Sequence, residues 1–198
     1  SDGNHNYIID SVYNADKKNH SSFSADGKYL LINTLNSLSD YYNEEQDNRT
    51  LVVDIDEFEK TKIIKKQYLA CDKCSHSYKR GDKLFFNKGR LDGYDGYTNR
   101  DIYVAPWGNI KDTTKLASNI SIIDVTPDGK YILGTRFFDR QKNTLVILEV
   151  ATKKYQMLIG RDYHKYVSSF FYSRYMKKFA FLDNKNLVYI DFPKTYPF

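Results

Sequence analysis

Two stretches carry residue types that do chemistry at short spacing. The first is Cys71-Asp72-Lys73-Cys74, with His76 just beyond it. A Cys-x-x-Cys pair can hold half of a zinc site. Here there is no second cysteine pair, and His5, His20 and His164 are far off in sequence. Haem attachment wants a histidine directly after the second cysteine, where this chain has Ser75. A redox pair would normally sit at a helix N-terminus, and this one falls between two expected strands. A local disulfide and two ordinary thiols remain as the readings, and no metal is assigned. The second stretch is the connection Leu91-Asp92-Gly93-Tyr94-Asp95-Gly96-Tyr97-Thr98-Asn99-Arg100-Asp101. Its carboxylates, with glycines between them, could wrap a calcium ion, but the EF-hand spacing is absent. The chain is therefore read as needing no cofactor, with calcium as the alternative at this loop. Tyr94, Tyr97 and Arg100 are of the types enriched where proteins bind one another.

An acidic stretch, Asp40-Tyr41-Tyr42-Asn43-Glu44-Glu45-Gln46-Asp47, offers two more tyrosines. Catalytic signatures are missing: there is no Gly-x-Ser-x-Gly elbow, no His-Glu-x-x-His and no phosphate-cradling glycine loop. His20 beside Ser21 and Ser22 does not make a triad by adjacency alone.

The elements that must position these loops are legible through a repeat. Ser24-Ala25-Asp26-Gly27-Lys28-Tyr29 returns as Thr126-Pro127-Asp128-Gly129-Lys130-Tyr131. Fainter copies centre on Gly81-Asp82-Lys83 and on Lys177-Lys178-Phe179. The steps of about 47 to 55 residues match one four-stranded propeller blade. The fold expected is all-β: a propeller of about four four-stranded blades in a single domain. The repeats span about 14–70, 71–118, 119–160 and 161–198. The last repeat supplies three strands, and a spare strand at 6–13 is expected to complete its blade and close the ring. Asp-Gly supplies the positive-φ position of the hairpin turn, and Tyr29–Asn33, Thr50–Ile55, Asp101–Ala105 and Ile120–Val125 read as strands. Asp56–Lys60 reads as a short turn and Lys62–Leu69 as the outer strand of the first blade. The abundance of tyrosine (18) and phenylalanine (12) over tryptophan (1) also suits half-buried sheet.

The net charge of +5 comes mostly from lysines spread through the turns, a solvated surface that guards strand edges. No concentrated Arg/Lys stripe with aromatics argues for nucleic acid. No apolar run reaches the length of a membrane span.

The pattern Ser/Thr-x-Asp-Gly-Lys-Tyr, then a polar loop, then a strand such as Asp101-Ile102-Tyr103-Val104-Ala105, resembles the TolB-type, WD-like β-propeller repeat. The resemblance implies a periplasmic or secreted scaffold that binds a protein or peptide. It also favours a disulfide between Cys71 and Cys74, since such proteins work outside the cytoplasm. Family members more often carry six or more blades. Four blades would mean a compact ring, half of a homodimeric ring, or a piece of a longer protein. Similar blades cap the active site of prolyl-oligopeptidase-type peptidases, which is the alternative reading. The binding face expected combines Tyr41, Tyr42, Asp92, Tyr94, Asp95, Tyr97 and Arg100, because both loops join the second and third strands of their blades.

Overall fold

The repeated turn is built by one hydrogen-bond device used twice. The Ser24 hydroxyl donates to Asp26 Oδ1 (2.5 Å) and accepts from the Tyr29 amide (2.9 Å), while Asp26 Oδ1 also accepts from the Lys28 amide (3.2 Å). Thr126 reproduces this with Asp128 (2.7 Å), Tyr131 (3.0 Å) and Lys130 (3.1 Å). Gly27 and Gly129 take φ of 74° and 69°, which side chains with a Cβ resist. Short polar side chains here satisfy the amides that a tight hairpin leaves over.

A computed structural model describes residues 20–34, 49–63, 67–69, 74–88, 91–92, 97–98, 100–137, 143–158, 167–173, 178–183 and 186–191. The strands are β1 (His20–Phe23), β2 (Tyr29–Thr34), β3 (Arg49–Asp54), β4 (Gln67–Leu69), β5 (Cys74–Arg80) and β6 (Lys83–Lys88). Two short strands, β7 (Leu91–Asp92) and β8 (Tyr97–Thr98), pair only with each other. Then come β9 (Asp101–Pro106), β10 (Thr114–Ala117), β11 (Ile120–Val125), β12 (Tyr131–Phe137), β13 (Asn143–Glu149) and β14 (Tyr155–Met157). The last are β15 (Val167–Ser173), β16 (Lys178–Asp183) and β17 (Asn186–Asp191).

They assemble into antiparallel sheets β1-β2-β3-β4, β5-β6-β9-β10, β11-β12-β13-β14 and the three-stranded β15-β16-β17. The first strands pack side by side, β1 on β5, β5 on β11 and β11 on β15. The sheets are thus stacked face to face around their first strands. The second sheet shows why its strands read as unbroken apolar runs: it is covered on both faces. Phe85 of β6 turns toward Ile122, Ile132 and Val146 of the third sheet. Its neighbours Leu84 and Phe86 turn the other way, toward Leu31 of the first. Burial of such a side chain is worth about 1.5–3 kcal/mol.

Two features depart from the sequence expectation. Residues Ile55–Thr61 form a helix, α1, where a turn was expected, and of the outer strand expected from Lys62 the described Lys62 and Ile63 lie outside it, while Gln67–Leu69 belong to it. Asp54 caps the helix by accepting from the Glu57 amide, and Lys62 closes it in the left-handed region with its N–H on the Phe58 carbonyl. The β7–β8 hairpin inside the 89–100 connection is the second departure. The expected strand at 6–13 lies outside the described residues.

Candidate functional site

The sheets have two unlike ends, and one guanidinium fixes which end is which. Arg80 closes β5 and is buried. Its Nη1 donates to the carbonyls of Phe23 (2.8 Å) and Lys79 (3.0 Å), and its Nε to that of Val125 (2.9 Å). Nη2 pairs with Asp124 Oδ1 at 3.2 Å. Phe23 and Val125 are the last residues of β1 and β11. The three first strands therefore run the same way and finish level with one another, at what is here the turn end. The second strands run back, so the connections 35–48, 89–100 and 138–142 all leave from the opposite, loop end. The register agrees, pairing Cys74 with Lys88 and Ile120 with Arg136.

The turn end is stitched further. In the first three sheets the residue directly after the third strand returns an amide to the first hairpin: Ile55 to the Lys28 carbonyl, Trp107 to that of Asp82 and Val150 to that of Lys130. Lys79, buried, sets its ammonium 5.1 Å from the Tyr29 ring centroid and 5.3 Å from that of Trp107. The same ammonium donates to the Gly81 carbonyl. Hydrogen bonding from Ser24, then from the Lys28 amide, with the Lys79 charge nearby, holds the Asp26 carboxyl below its usual range. The Tyr78 hydroxyl donates to the Ile123 carbonyl, and burial, reinforced by the Asp124 charge, raises its pKa.

The loop end is organised around Arg100 and Asn87. Three of the first strands (β5, β11 and β15) carry a bulge. In β11 the bulge lies between Ile122 and Asp124, and buried Asn87 serves it. Its Oδ1 accepts from the Ile122 amide (2.7 Å), and its Nδ2 donates to the carbonyls of Ile120 (2.8 Å) and Asp101 (3.2 Å). The Arg100 carbonyl accepts from the Ile120 amide at 2.9 Å. Arg100 Nη1 lies 3.1 Å from His76 Nδ1 and 3.3 Å from Ser121 Oγ. Lys115 pairs with Asp101 at 2.5 Å, and that hydrogen bond raises the lysine's pKa. Arg136 lies 4.4 Å from the centroid of the Tyr155 ring.

Of the residues singled out in the sequence, Arg100 is placed in full. Asp92 and Tyr97 pair directly across the β7–β8 hairpin. Tyr41, Tyr42, Tyr94, Asp95 and Cys71 lie outside the described residues. Cys74 is buried and disulfide-bonded, and Cys71 is the other cysteine of the chain. Among the described residues no group of three or more His, Cys, Asp or Glu side chains is arranged to hold a metal. None of their helices is long and apolar enough to cross a membrane. Sequence reading missed His76 and Ser121 as companions of Arg100. A possible signal was their position near the start of two successive first strands, one repeat apart.

No protein-family model matches the sequence, and no curated protein matches it significantly. Solved structures do match. A TolB-type protein from Agrobacterium tumefaciens superposes with a TM-score of 0.61 over 86% of this chain, at 14% identity. TolB from Acinetobacter baumannii gives 0.53 over 84% at 15% identity. The fold is a β-propeller, similar to that of these TolB structures. The stacked sheets are its blades, and their first strands are the inner ones. A prolyl endopeptidase, from a study of inter-domain dynamics in catalysis and specificity, gives 0.55 over 86% at 12% identity. This propeller chain spans 56%, 40% and 26% of the length of those three chains. At such identities the likeness is one of fold, and function has to be argued from the site.

Proposed function

We propose that the chain is a non-catalytic propeller scaffold that binds a protein or peptide through its loop end. The observation that carries this reading is the common direction of β1, β5 and β11, tied level by Arg80. Repeated topology then sends the 35–48 and 89–100 connections, with Tyr41, Tyr42, Asp92, Tyr94, Asp95, Tyr97 and Arg100, out of one face. The tyrosines and the arginine among them are residue types that dominate binding energy at interfaces. In this reading the propeller has four blades, the segment 6–13 completes the fourth, and the protein works in the periplasm or outside the cell without a cofactor. A homodimer would instead join two half-rings, and light scattering separates a 23.2 kDa monomer from twice that mass.

A photo-reactive residue placed at Tyr97 should give a discrete adduct with a partner, and the same residue at Lys130, on the turn end, should give none. The adduct should weaken in Tyr94→Ala. Adducts from position 130 alone would remove the loop-end reading. The likeness to a prolyl endopeptidase supports a second reading, a substrate-gating propeller whose catalytic domain lies elsewhere in a longer protein. Hydrolysis of prolyl peptides by the longer protein, slowed by changes at the loop end, would favour it.

A further inference from the structure

The outer edges of the second and third sheets are finished differently. A strand at the edge of a sheet shows N–H and C=O groups that another chain can join. On β10 that edge is blunted. A register shift between Lys115 and Ala117 breaks its pairing with β9, Asp101 holds the Lys115 ammonium, and Leu116 turns into the core. β14 has none of these protections. It pairs with β13 in unbroken register, Met157 with Val146, Gln156 with Ile147 and Tyr155 with Leu148. All of its residues are exposed.

The hydrogen bonds at its two ends fix where its main chain points. The Glu149 amide donates to the Lys154 carbonyl and the Leu158 amide to that of Leu145, each at 2.8 Å. Bonded and non-bonded pairs alternate along an antiparallel ladder. Gln156 is therefore bonded to Ile147, while Tyr155 and Met157 turn their amides and carbonyls away from β13, toward the open edge. β14 has no other neighbour in its sheet, and among the described residues those outward groups meet no partner.

The side chains beside them suit a visitor. Tyr155 and Met157 share one face and are 38% and 41% exposed. The Arg136 guanidinium, 4.4 Å from the centroid of the Tyr155 ring, steadies that ring. Tyrosine, methionine and arginine are enriched at interfaces. Just ahead of the strand, Lys153 and Lys154 are exposed, and neither ammonium has an ion pair among the described residues. A strand this short cannot hold a partner by main-chain bonds alone, so side chains and charge must contribute.

We propose that β14 is a strand-addition site on the rim of the propeller, for an extended acidic segment of another protein. The segment lies along Tyr155–Met157 and bonds their outward amides and carbonyls. It sets an apolar side chain against Tyr155 and Met157 and brings carboxylates to Lys153 and Lys154. A second copy of the chain, with its net charge of +5, suits those lysines poorly. The site stands apart from the loop-end reading, because β14 is the outer strand of its blade.

The test selects peptides from a displayed random library against the full chain. Peptides of about seven residues match the length of an ordinary strand. The enriched ones should alternate apolar with polar residues and carry aspartate or glutamate toward one end, and added salt should weaken their binding. Met157→Pro removes one outward N–H at an edge, where proline is tolerated, and Tyr155→Lys places a charge on that edge. Each should weaken a selected peptide by about tenfold. Lys130→Ala, at the turn end, should leave it unchanged. Urea midpoints identify a variant that no longer folds, and the other variant then decides. An absence of enrichment, enriched peptides without carboxylates, or binding indifferent to both changes would overturn the proposal. So would a doubling of the 23.2 kDa mass that Met157→Pro abolishes, since β14 would then serve a second copy. Failure of the loop-end reading would instead appear as absent adducts at position 97, with these selections intact.

Discussion

The two ends of the propeller solve different problems with different chemistry. At the turn end the same small device recurs: Ser24 with Asp26, then Thr126 with Asp128, each followed by glycine at positive φ. Returning amides from Ile55, Trp107 and Val150 then close the first three blades onto their first hairpins. At the loop end a bulge recurs in β5, β11 and β15, but no repeated side-chain device accompanies it among the described residues. Asn87 serves one bulge, Arg100 and His76 meet once, and the 89–100 connection carries a hairpin of its own. Repetition marks what every blade needs in order to stand beside its neighbours. Departure from repetition marks what a single site needs. Loops held on a rigid scaffold are where binding is normally placed, and the contrast supports the proposal that the loop end has that role.

The comparison can be broken most sharply at Arg80. Its charge is buried and paired with Asp124, and it satisfies carbonyls on three inner strands. Arg80→Ala should cost about 3–5 kcal/mol in equilibrium unfolding, the usual loss when one partner of a buried pair is removed. Asn87→Ala tests a structural anchor of the loop end. It leaves the buried Ile122 amide and Ile120 carbonyl without their partner and should cost about 1–3 kcal/mol by the same measurement.

The next effect is one of pH. The folded pKa of Tyr78 is raised above its unfolded value, so the folded state keeps a proton that the unfolded chain releases. The stabilising contribution is complete below about pH 10 and is lost as pH rises beyond it, approaching about 1.4 kcal/mol per unit. Melts recorded at rising alkaline pH should steepen in their loss of stability there, and Tyr78→Phe should flatten that dependence. The smallest effect belongs to a single copy of the repeated turn. Thr126→Ala removes one hydroxyl that both donates and accepts, and should cost about 0.5–1.5 kcal/mol. Ser24→Ala should match it, since the two turns carry the same bonds.

How much of this the sequence discloses follows from the range of each interaction. The turns at Ser24 and Thr126 are made by residues within five positions of one another, and they can be read directly. Strand β11 coincides with the expected Ile120–Val125, since turn residues bound it closely. Helix α1 is missed because Asp54 serves at once as the end of a β-branched strand and as a helix cap. The β7–β8 strands have two residues each, too few for alternation to register. Arg80 is the hardest case. Its partners at Phe23, Asp124 and Val125 stand 44 to 57 residues away, and the acceptors at Phe23, Lys79 and Val125 are main-chain carbonyls that leave no mark in composition. The same holds for Arg100, whose link to His76 spans 24 positions. Sequence therefore singles out Arg100 and leaves its companions unseen.

The central claim is that the turn end carries stability and the loop end carries binding. The most direct test is urea unfolding of two variants beside the parent: Arg80→Ala, and a loop-end variant with Tyr94 and Tyr97 both changed to alanine. The account predicts a loss of about 3–5 kcal/mol for the first. It predicts a change within about 0.5 kcal/mol for the second, as for ordinary surface substitutions. A loop-end variant that unfolds as easily as Arg80→Ala would contradict it, because those tyrosines would then be part of what holds the propeller together.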